Sequence, residues 1–219
     1  EADKLGYEYI AFSEHNPKSS EPERKVVELL KRKLEIVEHI NYSREKKSEK
    51  GVRKVFNSLE IDIKPDGKLA LPEAGFNLID FAIVSVHSSF RGSQKEQTKR
   101  VLSALSHPKA KIFGHPTARM LNQREGVELN WPQILDFCQK HDKWLEINSW
   151  PERLDLPDVL VREAVKAGVK LVINTDSHAV EHMSGISYGV AVARRGWAQK
   201  GDVISTLSYN EVAGLLRFK

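Results

Sequence analysis

Apolar, β-branched runs recur along the chain at Tyr7–Ser13, Val52–Ile61, Ile79–Val86, Lys111–Gly114, Lys143–Asn148 and Lys170–Thr175. Between most of them the apolar residues change to a spacing of three or four. Pro22–Ile40 carries Val26, Leu29, Leu30, Leu34, Val37 and Ile40, and Gln94–Leu105, Trp131–Lys140 and Pro157–Ala167 repeat the pattern. A short continuous apolar run marks a strand buried on both faces, and a period near 3.6 marks a helix with one buried face. Their alternation predicts an α/β chain with a parallel sheet covered by helices, either a βα barrel or an open doubly wound sheet. Lys64-Pro65-Asp66-Gly67 reads as a turn after the second run, and 46–51 as an exposed loop.

The polar residues choose between the two architectures. Each strand-like run leads into a titratable or amide side chain: His15, Glu60, His87, His115, Asn148, and Asp176 with His178. In a barrel the carboxyl ends of all strands converge on one rim, so these residues face a common centre, whereas an open sheet spreads them along a line. The barrel is therefore expected.

Composition narrows the class without changing the fold. A chain of 219 residues with 40% hydrophobic and 29% charged residues has the length and balance of one globular domain, so residues 1–219 are read as a single unit. The single cysteine, Cys138, cannot form an internal disulfide, and no apolar run is long enough to span a bilayer. A soluble, cytoplasmic protein with no membrane partner is the expectation. The net charge of +4 is local: residues 18–54 hold 12 basic and 7 acidic side chains, interleaved as on a solvated helix face. The opening Glu1–Tyr7 lacks a signal peptide and reads as a helix end turning through Gly6 into a strand, so the chain is expected to begin inside a fold.

Several imidazoles and carboxylates at neighbouring buried strand ends would each be costly alone, and a shared metal cluster lets them coexist. Nitrogen and carboxylate donors without thiolates suit Zn²⁺, Mn²⁺ or Fe and disfavour a calcium cage or a cysteine-rich structural zinc. Adjacent cations of this kind activate water and hold phosphate oxygens, so hydrolysis is the implied chemistry. The chain has no Gly-x-Ser-x-Gly, Walker A or Gly-x-Gly-x-x-Gly, which removes the main support for serine hydrolase, P-loop and dinucleotide readings.

Phe12-Ser-Glu-His15, Ser58-Leu-Glu-Ile-Asp62, Ser85-Val-His-Ser88, Gly114-His-Pro116 and Asn174-Thr-Asp-Ser-His178 resemble, in the same order, the successive motifs of the polymerase and histidinol phosphatase (PHP) superfamily. More narrowly, Gly114–Arg119, Leu145–Asn148 with Pro151–Asp155, and Gly189–Trp197 with Lys200-Gly-Asp202 are similar to the C-terminal PHP domain of bacterial family X DNA polymerases. The resemblance implies a distorted seven-stranded βα barrel that binds up to three divalent metals, usually manganese or zinc. It also implies a phosphoesterase, commonly a 3′–5′ exonuclease. By position the ligands are His15, Glu60, His87, His115, Asp176 and His178, acting on substrate through metal-bound water. Two departures accompany it. The family's His-x-His first strand and a following Asp lie before this sequence starts, and the usual Thr-Asp-His and small residue before Glu appear here as Ser13-Glu14-His15 and Leu59.

Arg119, Arg153 and Asn148 are candidates to hold phosphate, because a guanidinium fork binds it bidentately and an amide can orient it. DNA 3′ ends and small phosphate esters are both suitable substrates, with a polymerase domain N-terminal in a longer parent. A non-catalytic docking module is the other class, given the missing first-strand ligands and the open sheet edge they would leave. His39, His107, His141 and His182 read as solvated or capping, Cys138 as core, and Arg194-Arg195-Gly-Trp197 as a Trp packed under an Arg stem.

Overall fold

A computed structural model describes residues 1–45 and 51–216. Lys46–Lys50, most of the expected exposed loop, lie outside the described residues. Strands β1 (Tyr9–Phe12), β2 (Lys54–Asp62), β3 (Phe81–Ser85), β4 (Ala110–Phe113), β5 (Trp144–Asn148) and β6 (Leu171–Asn174) pair in chain order, all parallel, as one curled half-barrel sheet. The helices are α1 (Glu23–Glu45), α2 (Glu73–Phe76), α3 (Gln94–Leu105), α4 (Trp131–Lys140), α5 (Asp158–Lys166), α6 (Ile186–Arg195) and α7 (Tyr209–Leu215). This sheet is consistent with a distorted TIM-like α/β barrel, with β1 and β6 as its edges among the described residues.

Strand alternation sorts most of the apolar residues into two cores, beside a smaller cluster of Ala2, Val37, Val52 and Val55. Leu59 and Ile61 of β2, Ala82 and Val84 of β3, Leu145 and Ile147 of β5 and Leu171 of β6 pack with Val101, Ile134, Val161 and other helix residues in the outer layer. The intervening positions, Phe56, Phe81, Ile83, Ile112, Trp144 and Val172, form a separate inner cluster closed by Ile204, Val212 and Leu216. The Tyr9 hydroxyl sits beside this plug and reaches the carbonyls of Ile204 and Leu207, each at 3.2 Å. Higher on the same inner face the parity continues into Ser58, Glu60 and Asp62 on β2, Ser85 on β3, and Glu146 and Asn148 on β5. The barrel lining is thus apolar at the amino ends and polar at the carboxyl ends, which places chemistry only at the upper rim.

Caps and turns follow the local sequence. Ser93 and Glu96 form a reciprocal capping box at the start of α3, and Asn130 accepts from the Gln133 N–H before α4. Gly6, with φ at +76°, ends a Schellman turn in which Tyr7 N–H donates to Ala2 and Gly6 N–H to Asp3. Gly67 takes φ at +82° in the turn read at Lys64–Gly67.

Three expectations need refinement. The inward stripe of α1 is Val26, Leu30, Val37 and Asn41, while Leu29 is exposed. Within the basic run Lys33 turns inward, its Nζ at 3.0 Å from the Phe12 carbonyl, at 2.7 Å from Glu14 and bonded to the Ser58 carbonyl. Trp197 is covered by Arg162, whose guanidinium lies 3.8 Å from the ring centroid, while Arg195 pairs with Asp158. Cys138 is fully buried and burial pushes its thiol up to about 12, which leaves it unreactive.

Candidate metal centre

Local backbone geometry delivers the side chains to the rim. His15 lies beyond β1 and continues its pairing: Asn16 N–H donates to the Glu60 carbonyl and Glu60 N–H to the Glu14 carbonyl. His115 and Asp176 both adopt positive φ, at 27° and 52°, in the first residues beyond β4 and β6. Non-glycine residues in this region cost energy and cluster at functional sites. Gly114, before His115, is required by close packing: a Cβ there would meet Ser85 Oγ at 2.4 Å and Ile83 Cγ2 at 2.6 Å.

Glu60 is the centre of the first group. Its Oε1 is 2.8 Å from His115 Nε2 and 3.3 Å from His87 Nε2, its Oε2 is 3.5 Å from His15 Nδ1, and the two Nε2 atoms stand 3.2 Å apart. On the far side of the His87 ring, Nδ1 is 2.6 Å from Asp62 Oδ1. Glu60, His87 and His115, and separately His15, Asp62 and His87, each bring one donor atom within 4.8 Å of the others. Burial opposes charge on Glu60, but hydrogen bonds from His115 and His87 outweigh it and hold its carboxyl well below the ordinary range. Burial likewise opposes charge on His87, yet Asp62 and Glu60 together raise the ring to about 9. Protons on imidazole thus balance these carboxylates, and metal ligands of this type give up such protons on binding a cation.

The second group is built differently. Glu146, fully buried, accepts from the His115 N–H at 2.6 Å, from Asn174 Nδ2 at 2.7 Å and from Asn148 Nδ2 at 3.2 Å. Loss of hydration pushes its carboxyl up to about 7. Asn148 also donates to Asp176 Oδ2 at 3.1 Å, and Arg153 Nε lies 3.6 Å from the same oxygen. His178 is exposed, its Nδ1 2.8 Å from the Asp176 carbonyl oxygen and 3.8 Å from Asp176 Oδ1, and its ring stands 6.4 Å from that of His15 and 6.1 Å from that of Trp150. Asp176 and His178 therefore border the first group without joining either compact donor set.

Of the residues expected at the rim, His15, Glu60, His87 and His115 meet one another, Asp176 and His178 stand beside them, and Arg119 turns to a different partner. Arg119 turns its guanidinium to the backbone, Nε donating to the Arg153 carbonyl at 2.9 Å and Nη2 to that of Leu154. Arg153 remains the available arginine, with its Nη1 buried and lacking a hydrogen-bond partner among the described residues. His182 caps the His178 N–H and packs on Trp150, His107 packs on Phe76, and His141 caps α4. Sequence reasoning passed over Asp62, Glu146 and Asp155. The first two carried a signal, since each lies two residues from a candidate on the same strand and so shares its face. Asp155 lies in a loop and carried none; fully buried, it accepts from the Thr117 N–H at 3.0 Å.

A divalent cation suits this arrangement. Converging imidazole and carboxylate donors match the ligand types of Zn, Mn and Fe. His115 Nδ1, also buried and without a partner among the described residues, leaves that ring's polar contacts concentrated on Nε2.

No family model matches the chain. It is 32% identical over 214 residues to the DNA polymerase/3′–5′ exonuclease PolX of Bacillus subtilis, a match covering 98% of this chain and 36% of that protein. It is 24% identical over 220 residues to a probable phosphatase of Thermoanaerobacter, covering 94% of this chain and 81% of the relative. Another probable phosphatase, from Caldicellulosiruptor saccharolyticus, is 26% identical over 133 residues, 57% of this chain and 53% of its own length. The chain thus spans about a third of the length of PolX. Among solved structures, histidinol phosphate phosphatase from Lactococcus lactis, complexed with zinc, L-histidinol and phosphate, superposes with a TM-score of 0.59 at 18% identity, covering 90% of this chain and 85% of that one. This likeness establishes the fold.

Proposed function

From its membership of the PHP superfamily, we propose that this chain, residues 1–219 taken as one domain, is a metal-dependent phosphoesterase that removes nucleotides from DNA 3′ ends. The observation that carries the reading is the convergence of His87 and His115 Nε2 on Glu60 Oε1 at 3.3 and 2.8 Å. Glu60, His87, His115 and His15 would hold divalent cations, with Asp176 and His178 completing the site at its border. Such cations, when bound, lower the pKa of water and neutralise charge on phosphoryl oxygens.

The remaining roles belong to the chain itself. Arg153 offers its unpaired Nη1 to a phosphate oxygen, and Arg119 aims it by holding the carbonyls of residues 153 and 154. Asn148 keeps Asp176 in place against the rim. The buried inner core closes the space below the site. Preference for a nucleic-acid end rests on the similarity to PolX along 98% of this chain, and a polymerase domain is the natural neighbour in a longer parent. The probable-phosphatase relatives support a second reading, hydrolysis of a small phosphomonoester.

The test uses protein purified without chelator. Elemental analysis should find at least one equivalent of Mn, Zn or Fe, and with Mn²⁺ the protein should release mononucleotides from a 3′-labelled oligonucleotide until EDTA stops it. Hydrolysis of phosphomonoesters alone would replace the exonuclease with the phosphatase. Bound metal with no hydrolysis of either substrate would leave a docking module.

A further inference from the structure

His87 is the one ring shared by both donor sets, and its two nitrogens face different company. Nε2 points to Glu60 Oε1 and His115 Nε2, at 3.3 and 3.2 Å, while among the described residues Nδ1 hydrogen-bonds only with Asp62 Oδ1, at 2.6 Å. One nitrogen cannot both carry a proton and ligate a cation, so a metal-bound His87 must assign one task to each. The contact at 2.6 Å has the length of a charge-assisted hydrogen bond and lies well short of the roughly 3 Å or more expected of two oxygen and nitrogen atoms sharing one cation at about 2 Å each.

Resting on the metal-site reading above, the geometry points to Asp62 as a positioning residue: it accepts the Nδ1–H of His87 and so commits Nε2 to the metal. Its own placement is secured by the fold. Asp62 is two residues past Glu60 on β2, hence on the same face, and its main chain is held on both sides. The Asp62 N–H donates to Asn16 Oδ1 at 2.8 Å, and the Asp62 carbonyl accepts from Ala70 N–H at 3.0 Å. A carboxylate behind a ligating imidazole fixes both the tautomer and the ring orientation. The side chain of Asp62 is 44% exposed against 11% for Glu60, so the carboxylate sits outside the enclosed group and behind the ring.

The experiment is two-bond ¹H–¹⁵N correlation of the His87 ring in Zn²⁺-loaded protein, with zinc titrations of Asp62→Asn and Asp62→Ala. The expected spectrum shows Nδ1 protonated and slowly exchanging and Nε2 metal-bound. Asp62→Ala should lose the slow proton and weaken zinc by about 10- to 100-fold at unchanged saturating stoichiometry. Asp62→Asn, whose amide oxygen can still accept, should restore much of both. A metal-bound Nδ1, or fewer zinc ions at saturation in Asp62→Ala, would overturn the assignment and make Asp62 a ligand. If the wild type takes up no zinc, the functional reading fails separately. The neutral ring of the metal-free protein then decides the positioning by itself: Nδ1–H sustains it and Nε2–H overturns it.

Discussion

Around Glu60 the rim gathers His15, His87 and His115 with Asp62 nearby, and among the described residues no lysine or arginine bonds either carboxylate. Around Asp176 it gathers Asn148 and Arg153, and behind them Glu146 takes three N–H donors. The first group leaves its negative charge to be balanced by something that can be exchanged, a proton or a cation. The second meets its carboxylates with resident amide and guanidinium donors, although burial still pushes Glu146 up to about 7. A strand-end carboxylate therefore does not by itself mark a ligand; the neighbours that neutralise it decide whether it can be one. By this criterion the first group is the candidate to bind metal, and the second holds Arg153 beside Asp176 at its border.

The comparison breaks most visibly at Glu60. Glu60→Ala should lower zinc or manganese affinity by more than about 100-fold, beyond the range of residues that act behind the ligands, because it removes the oxygen on which two imidazoles converge. Isothermal titration of the variant against Asp176→Ala measures the contrast, and an equal loss in the two would erase the distinction between the groups. Arg153→Ala sharpens it from the other side. Loss of a charged hydrogen bond costs about 1.5–3 kcal/mol, so the affinity for an oligonucleotide end should fall roughly 10- to 100-fold while metal content stays unchanged. Metal loss in this variant, read by elemental analysis, would show that Arg153 is needed to hold Asp176 as a ligand.

The smallest effect lies outside both groups, at the base of the barrel, and provides a control for acid sensitivity. Burial lowers the pKa of His107, whose ring stacks on Phe76 at 3.9 Å. Folding therefore favours the neutral ring, and its contribution is full above the ordinary value of about 6.5 and lost as pH falls from there through the lowered folded value. Urea unfolding at pH 7 and pH 5 should show His107→Asn losing less stability on acidification than the wild type. An identical loss would place the whole acid response in the rim.

Much of this architecture was legible as periodicity. Gln94–Leu105 and Trp131–Lys140 are helices at the bounds their stripes mark, and each apolar run marks a strand, with β2 and β4 each reaching one residue beyond theirs. Helix α6 was not legible because its apolar residues lie on both faces: Val192 and Ala193 are buried, whereas Tyr188 and Val190 are exposed. It is held instead by contact, since a Cβ at Gly189 would meet Ser149 Oγ at 2.1 Å and one at Gly196 would meet Val161 Cγ1 at 2.3 Å. Lys33 shows the same limit in a charged residue, inward-facing within a run whose composition describes a solvated face.

What the sequence determined by itself was the strand–helix rhythm and the residue type standing at each strand end. Both are local: they depend on side-chain period and on the chemistry of one position at a time. Which strand ends share a charge was decided only by the curl of the sheet and by the turns beyond it. His15, Glu60, His87 and His115 come from four separate stretches of chain, and nothing within any one stretch distinguishes His115, drawn to Glu60, from Asp176, drawn to Asn148 and Arg153. Nor could the sequence divide Arg119 from Arg153, because whether a guanidinium spends its donors on backbone carbonyls or keeps one free depends on where the loop of residues 150–155 folds back against β5.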